Sequence, residues 1–159
     1  MNQSPRPGQR DAIQRFWLDY QKAGNVQVEG FSATAFGHTR AVADELAALV
    51  ASGHKRAHAT LERDFEAEGD DLPRPGDHVV VLDGSGAPRA IVRTRHVERR
   101  FFNDIDDEFA FECGEGDRTL AWWLVAYRQE FAERAEAQGF QVGEKAVLIL
   151  EYFDLVWPQ

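Results

Sequence analysis

At Gly53 the hydrophobic period of this chain changes, and that change limits the fold more than any other feature. Before it, Val42, Leu46, Leu49 and Val50 recur at helical spacing behind Thr39, a residue suited to capping. The spacing predicts a helix from Thr39 to Ser52 that ends at the glycine. After it, Arg56, His58 and Thr60 alternate with Ala57, Ala59 and Leu61, the period of a strand with one small apolar face and one polar face.

The same logic places the other elements. Ile13, Phe16, Trp17 and Tyr20 fall on one helical face that Gly24 stops, while Met1–Arg10 reads as a loose terminus. Asp64–Asp71 reads as an acidic, exposed segment. Pro73–Asp77 is a turn into a strand at His78–Leu82, and Asp83–Pro88 is a hairpin returning along Arg89–Val97. Asn103–Glu112 begins a short helix. Asp117 is placed to cap a long helix carrying Leu120, Trp123, Leu124, Tyr127 and Phe131, which Gly139 stops. Lys145–Val156 is a long strand, apolar on both faces and therefore internal. The mixture is α+β, and short hairpins flanked by helices suit a small barrel or a curled sheet.

With 159 residues, 43% apolar and 28% charged, the chain can bury a single core. A net charge of −9 opposes non-specific binding of double-stranded DNA, although Arg89, Arg93, Arg95, Arg99 and Arg100 gather positive charge in one stretch. The one cysteine, Cys113, excludes a disulfide framework and is expected to be a small buried hydrophobe. No apolar leader or membrane-length run is present, so a cytoplasmic protein with no membrane partner is expected.

The segment Gly53–Thr60 also concentrates chemistry. Lys55 offers a point charge to a phosphate or oxyanion, and His58 offers acid–base chemistry near neutral pH. On a plain strand Lys55 points away from His58, so a bend after Gly53 is needed to turn it inward. The plain alternative is an exposed basic turn. In Glu112–Arg118, glycines at 114 and 116 allow a tight loop that presents Glu115. The five histidines show no helical zinc spacing, so no metal or cofactor is expected beyond a loosely held divalent cation beside Glu112 or Glu115. Trp122 lies one position off the apolar stripe and is the aromatic best placed for exposure and base stacking.

Taken in order, Ser52–Thr60, Leu72–Asp77, Val80–Gly84, Glu108–Ala110, Gly114–Leu120, Trp123 and Glu151–Pro158 resemble an ASCH domain, in its branch of small stand-alone bacterial proteins. The match covers about Phe31 to Pro158, leaving 1–30 as an N-terminal helical extension of a domain at 31–159. The resemblance implies a PUA-like small β-barrel decorated by helices and a cleft lined by Gly53 and Lys55. It also implies RNA or nucleoside ligands. Some small members are amidohydrolases of acylated cytidine nucleosides, using a Lys, a Thr three residues later and a Glu from the following helical segment. Others are ribonucleases or RNA-binding modules.

Here Gly53 and Lys55 fit that pattern. The Thr position falls on His58, and the Glu position falls at or near Cys113, between Glu112 and Glu115. The expectation is a domain that binds RNA or a nucleotide or nucleoside around Lys55. Lys55, His58, Glu112 and Glu115 are the candidate catalytic groups; Gly53, Thr60, Arg93, Arg95 and Trp122 are the candidate ligand contacts. A Lys/His/Glu set suits phosphodiester cleavage. The alternatives are an amidohydrolase with altered groups and a non-catalytic RNA-binding regulatory module that depends on Arg93 and Arg95.

Overall fold

Thr39 caps the helix that precedes Gly53, its hydroxyl accepting from Val42 N at 3.2 Å. In the computed structural model, which describes residues 6–28 and 30–158, that helix is α2 (Arg40–Ala51). It is preceded by α1 (Pro7–Gly24) and β1 (Ser32–Ala35), and followed by β2 (Ala57–Leu61) and α3 (Glu62–Glu68). Then come β3 (His78–Leu82), β4 (Pro88–Phe101), α4 (Asp107–Cys113), α5 (Leu120–Gln138) and β5 (Val147–Trp157).

The strands form one sheet in the order β1-β3-β4-β5-β2, curled as a half-barrel. β1 pairs parallel with β3; the β3–β4, β4–β5 and β2–β5 pairs are antiparallel. β5 is internal, as its apolar faces require. Its register with β4 slips by one between Thr94 and His96, so Arg95 is an extra residue on β4. The bulge sends Thr94 and Val97 to the same side of the sheet, opposite Phe153 and Glu151 respectively.

Three apolar clusters hold the layers together. Ala57, Ala59 and Leu61 meet Leu148, Leu150, Phe109, Trp123 and Tyr127 beneath α4 and α5. Ala47 and Val50 of α2 cover Val81, Val92 and Phe153. Ile13, Trp17 and Tyr20 of α1 cover Val80 and Ile91, so the N-terminal helix packs on the same sheet as the rest.

Several sequence expectations need correction. Of the stretch read as a loose terminus, residues 1–5 lie outside the described residues, but Pro7–Arg10 opens α1, with proline in its favoured first turn. Asp64–Asp71 is not simply exposed. Most of it belongs to α3, and Asp64 is buried against Arg134 at 2.5 Å. β4 runs on to Phe101, past the expected end at Val97. Thr119, not Asp117, caps α5, accepting from Trp122 N at 3.1 Å, while Asp117 accepts from the Thr119 amide and hydroxyl. The short exposed β1 was not anticipated.

Candidate functional site

The turn after α2 brings Lys55 inside. Gly53 adopts φ +78°, and the amides of His54 and Lys55 both donate to Leu49 O at 3.0 Å. Arg56 N then donates to Glu112 O at 2.7 Å, fixing the turn against the end of α4. Lys55 is 1% exposed. Its Nζ donates to Ala57 O at 2.6 Å, Cys113 O at 3.3 Å and Glu115 Oε2 at 2.9 Å. An ammonium has three donors, and all three are used within the protein.

Glu115 reaches Lys55 because Gly114 lets the chain pass against the turn. A Cβ on Gly114, which has φ +71°, would stand 2.3 Å from His54 O. Glu115 Oε2 also accepts from the Tyr127 hydroxyl at 2.5 Å. Burial first, then the Glu115 charge, pushes the Tyr127 phenol well above its usual range, so it keeps its proton and donates. Both bonds fall on Oε2, leaving Oε1 without a donor among the described residues.

His58 stands beside this chain of contacts. It is 8% exposed, stacked on Phe36 at 4.3 Å between ring centroids and edge-on to Tyr127 at 6.4 Å. Its Nδ1 is buried with no hydrogen-bond partner among the described residues. Burial, then the charges of Lys55 and Arg134, lower its pKa well below the usual histidine value. A neutral imidazole can accept or donate a hydrogen bond, or take up a proton as a base.

The segment between β1 and α2 forms one wall. Phe36 stacks on His58 and lies 5.9 Å from Lys55 Nζ. His38 Nε2 sits 3.1 Å from Glu133 and its Nδ1 3.6 Å from Glu130, both on α5. Burial raises the Glu130 carboxyl above its usual range.

The structure thus brings Lys55, His58 and Glu115 together and sends Glu112 elsewhere. Glu112 pairs with the exposed Arg56 at 3.2 Å. Thr60 lies two positions along the His58 side of β2, opposite Ile149. Gly53 shapes the turn. Trp122, 37% exposed, covers Gly116, where a Cβ would stand 2.2 Å from its ring. Arg93 lies on the other side of the sheet, opposite Asp154, and Arg95 faces Asp154 at 3.8 Å with the Tyr152 ring at 5.3 Å. The arginine stretch is largely neutralised within the protein, since Arg89 pairs with Asp83, Arg99 with Glu62 and Arg100 with Glu98. Cys113 is fully buried, and burial pushes its thiol up to about 12, which leaves it inert.

Two surface hollows, of ≈ 510 and ≈ 410 Å³, are lined by residues such as Arg99, Phe101, Arg63 and Phe140; Lys55, His58 and Glu115 line neither. Among the described residues, no three His, Cys, Asp or Glu side chains group as metal ligands, and no helix is long and apolar enough to cross a membrane.

Sequence reasoning had Tyr127 as core alone. A tyrosine within a buried stripe of Leu, Trp and Phe needs a partner for its hydroxyl, and that was the available signal. Phe36 and His38 gave none, because their place depends on the path of the chain after β1.

The comparisons agree with this architecture. The ASCH domain model matches residues 32–157. The crystal structure of an ASCH domain from Lactobacillus crispatus JV V101 is similar at 32% identity and a TM-score of 0.83, over 92% of this chain and 94% of that one. A protein of Enterococcus faecalis V583 is similar at 25% identity and a TM-score of 0.81, over 93% of this chain and 91% of that one. Among curated proteins, none matches significantly. With the family model spanning most of its length and an ASCH domain structure overlying the same fold, this chain belongs to the ASCH family.

Proposed function

We propose that the protein binds a nucleoside, free or as one unit of single-stranded RNA, beside the Lys55–Glu115–Tyr127 chain. The observation that carries this reading is the convergence of a buried, doubly held carboxylate and an unpartnered buried histidine next to an aromatic ring. Glu115 Oε1 supplies an acceptor, His58 a neutral hydrogen-bonding edge, and Phe36 a surface for stacking. Single-stranded nucleic acid is read by this combination of stacking and polar edge contacts. The net charge of −9 favours a small ligand or a short strand over a long wrapped one.

The role of Lys55 differs from the phosphate-binding role that the sequence suggests. Its three protons already meet three acceptors, so it serves to hold Glu115 charged and oriented. Groups that meet the ligand are then acidic or neutral, which suits the base or ribose better than the phosphate. Ribonuclease action would need Lys55 to exchange an internal acceptor for the developing phosphorane charge.

Hydrolysis of an acylated nucleoside is a second reading, favoured by the Lys55–Glu115 pair. The family's threonine position holds His58, so water would be the nucleophile, activated by His58 or by Glu115 Oε1. Calorimetric titration with nucleosides and short RNA tests the binding, with RNA cleavage and acetylcytidine turnover assayed in parallel. Glu115→Gln and His58→Ala are expected to weaken binding about tenfold or more, the range set by losing one buried polar contact. Wild-type affinity in both variants would remove the site.

A further inference from the structure

The polar centre is closed. Lys55, His58 and Glu115 are all buried, and the Phe36 and His58 rings already lie against one another at 4.3 Å. A base reaches either ring face only after part of this cover moves. Three pieces of chain form the cover, and they are held differently. Tyr127 sits within the long helix α5. The turn at Gly114–Glu115 is wedged against His54 O and tied down through Lys55 and the Arg56–Glu112 backbone bond. The third piece is Phe36–His38, between β1 and α2. Among the described residues, Gly37 and His38 make no backbone hydrogen bond. Side chains hold this strap: Phe36 on His58, and His38 at 3.1 Å from Glu133 and 3.6 Å from Glu130. The strap also occupies a special place in the sheet. β1 and β2 are its two edges, with no ladder between them, yet Phe36, next after β1, stacks on His58 of β2. It bridges the seam that the half-barrel leaves open.

We propose that Phe36–His38 is the gate of the polar centre, swinging out about Gly37 to uncover His58 and latching shut through His38 on α5. The proposal rests on the nucleoside-binding reading for what enters, but the motion itself needs no ligand. Opening gives up one ring stack and the His38 contacts, of which the Glu133 one is half-exposed and therefore weak. Moving the Gly114–Glu115 turn instead would strip the buried Lys55 of its acceptors, a far larger cost. Segments with few backbone bonds and few buried contacts are the ones that open locally. Gly37 is suited to the hinge. It has φ +93°, and a Cβ there would stand 2.6 Å from Val42 Cγ1. A hinge needs only a few residues that absorb the backbone change. Binding through an open minority is slowed in proportion to that minority, so the latch sets the rate of entry.

The test begins with relaxation dispersion and saturation transfer on the nitrogen-labelled whole protein without ligand. Phe36, Gly37, His38 and His58 are expected to exchange at one common rate, while Gly114–Gly116 stay flat. His38→Ala raises the open population about fivefold, the loss of one hydrogen bond to a carboxylate near the surface. Glu133→Ala, at an exposed position of α5, acts in the same direction. Thermal melting checks that both variants are folded; should His38→Ala not fold, Glu133→Ala decides. Stopped-flow fluorescence with cytidine then reads entry. The latch variant is expected to bind about fivefold faster and to release faster as well, whereas a residue that only touches the ligand changes release alone. An open population unchanged in both variants, exchange shared equally by Gly114–Gly116, or an unchanged association rate overturns the gate. If cytidine still binds in that case, and Glu115→Gln weakens it, nucleoside binding beside Lys55 survives without a gate. If the strap exchanges as expected and cytidine does not bind, the nucleoside reading falls and the gate stands.

Discussion

Lys55 is a buried cation whose acceptors all come from its own chain. Removing it leaves Glu115 charged and enclosed, which is the costly way to break a buried pair. Lys55→Met is expected to destabilise the fold by about 3–5 kcal/mol, and the double variant with Glu115→Gln by less than the sum of the singles. Denaturant unfolding of the four proteins measures this coupling; strict additivity would mean that the pair does not act as a unit. Glu151 carries the opposite kind of signature. Its folded carboxyl titrates at about 7 against a usual 4.5. This contribution to stability is therefore fully present below pH 4.5 and falls as the pH rises through 7, by on the order of 3 kcal/mol. His58, with its pKa lowered by burial, works against this, stabilising the fold as pH rises toward 6.5. In Glu151→Gln the loss between pH 4.5 and 7 should vanish, leaving the rising His58 contribution; an unchanged pH–stability profile would contradict the raised carboxyl.

Elements bounded by their own caps were legible in the sequence. Thr39 and Gly53 bracket α2, and Gly139 ends α5 with an αL cap. The period change at Gly53 gave β2, and the hairpin residues gave β3 and the start of β4. What escaped depended on distant contacts. β1 is four exposed residues whose strand form comes from parallel pairing with β3, a partner more than forty residues away. α3 is set by Asp64 reaching Arg134 on α5. The register of the site was equally hidden: which carboxylate meets Lys55 depends on how α4 ends, and Gly114 decides it. Its left-handed backbone and the close approach of His54 O leave no room for a side chain. Gly114→Ala is expected to cost at least about 2 kcal/mol and to loosen ligand binding, because Glu115 shifts with the loop. A melting temperature equal to that of the wild type would contradict the tight docking of this turn.

At the scale of the molecule, sequence and structure converge on the family while differing on the chemistry. A net charge of −9 and an arginine stretch taken up largely by internal ion pairs leave little free positive surface along β4. The molecule is built to enclose a polar centre between α2, α5 and the curled sheet. Gly53–Thr60 identified that place from the sequence, and the fold supplied what the sequence lacked: Glu115 as the partner of Lys55, Tyr127 as its second support, and His58 neutral and unpartnered between Phe36 and Tyr127. The most direct test is an amide chemical-shift map of the labelled protein titrated with cytidine. The account predicts that the largest changes fall on Phe36–His38, His54–His58 and Gly114–Gly116. Changes confined to the hollow around Arg99, Phe101 and Asp104, with these segments unmoved, would contradict it.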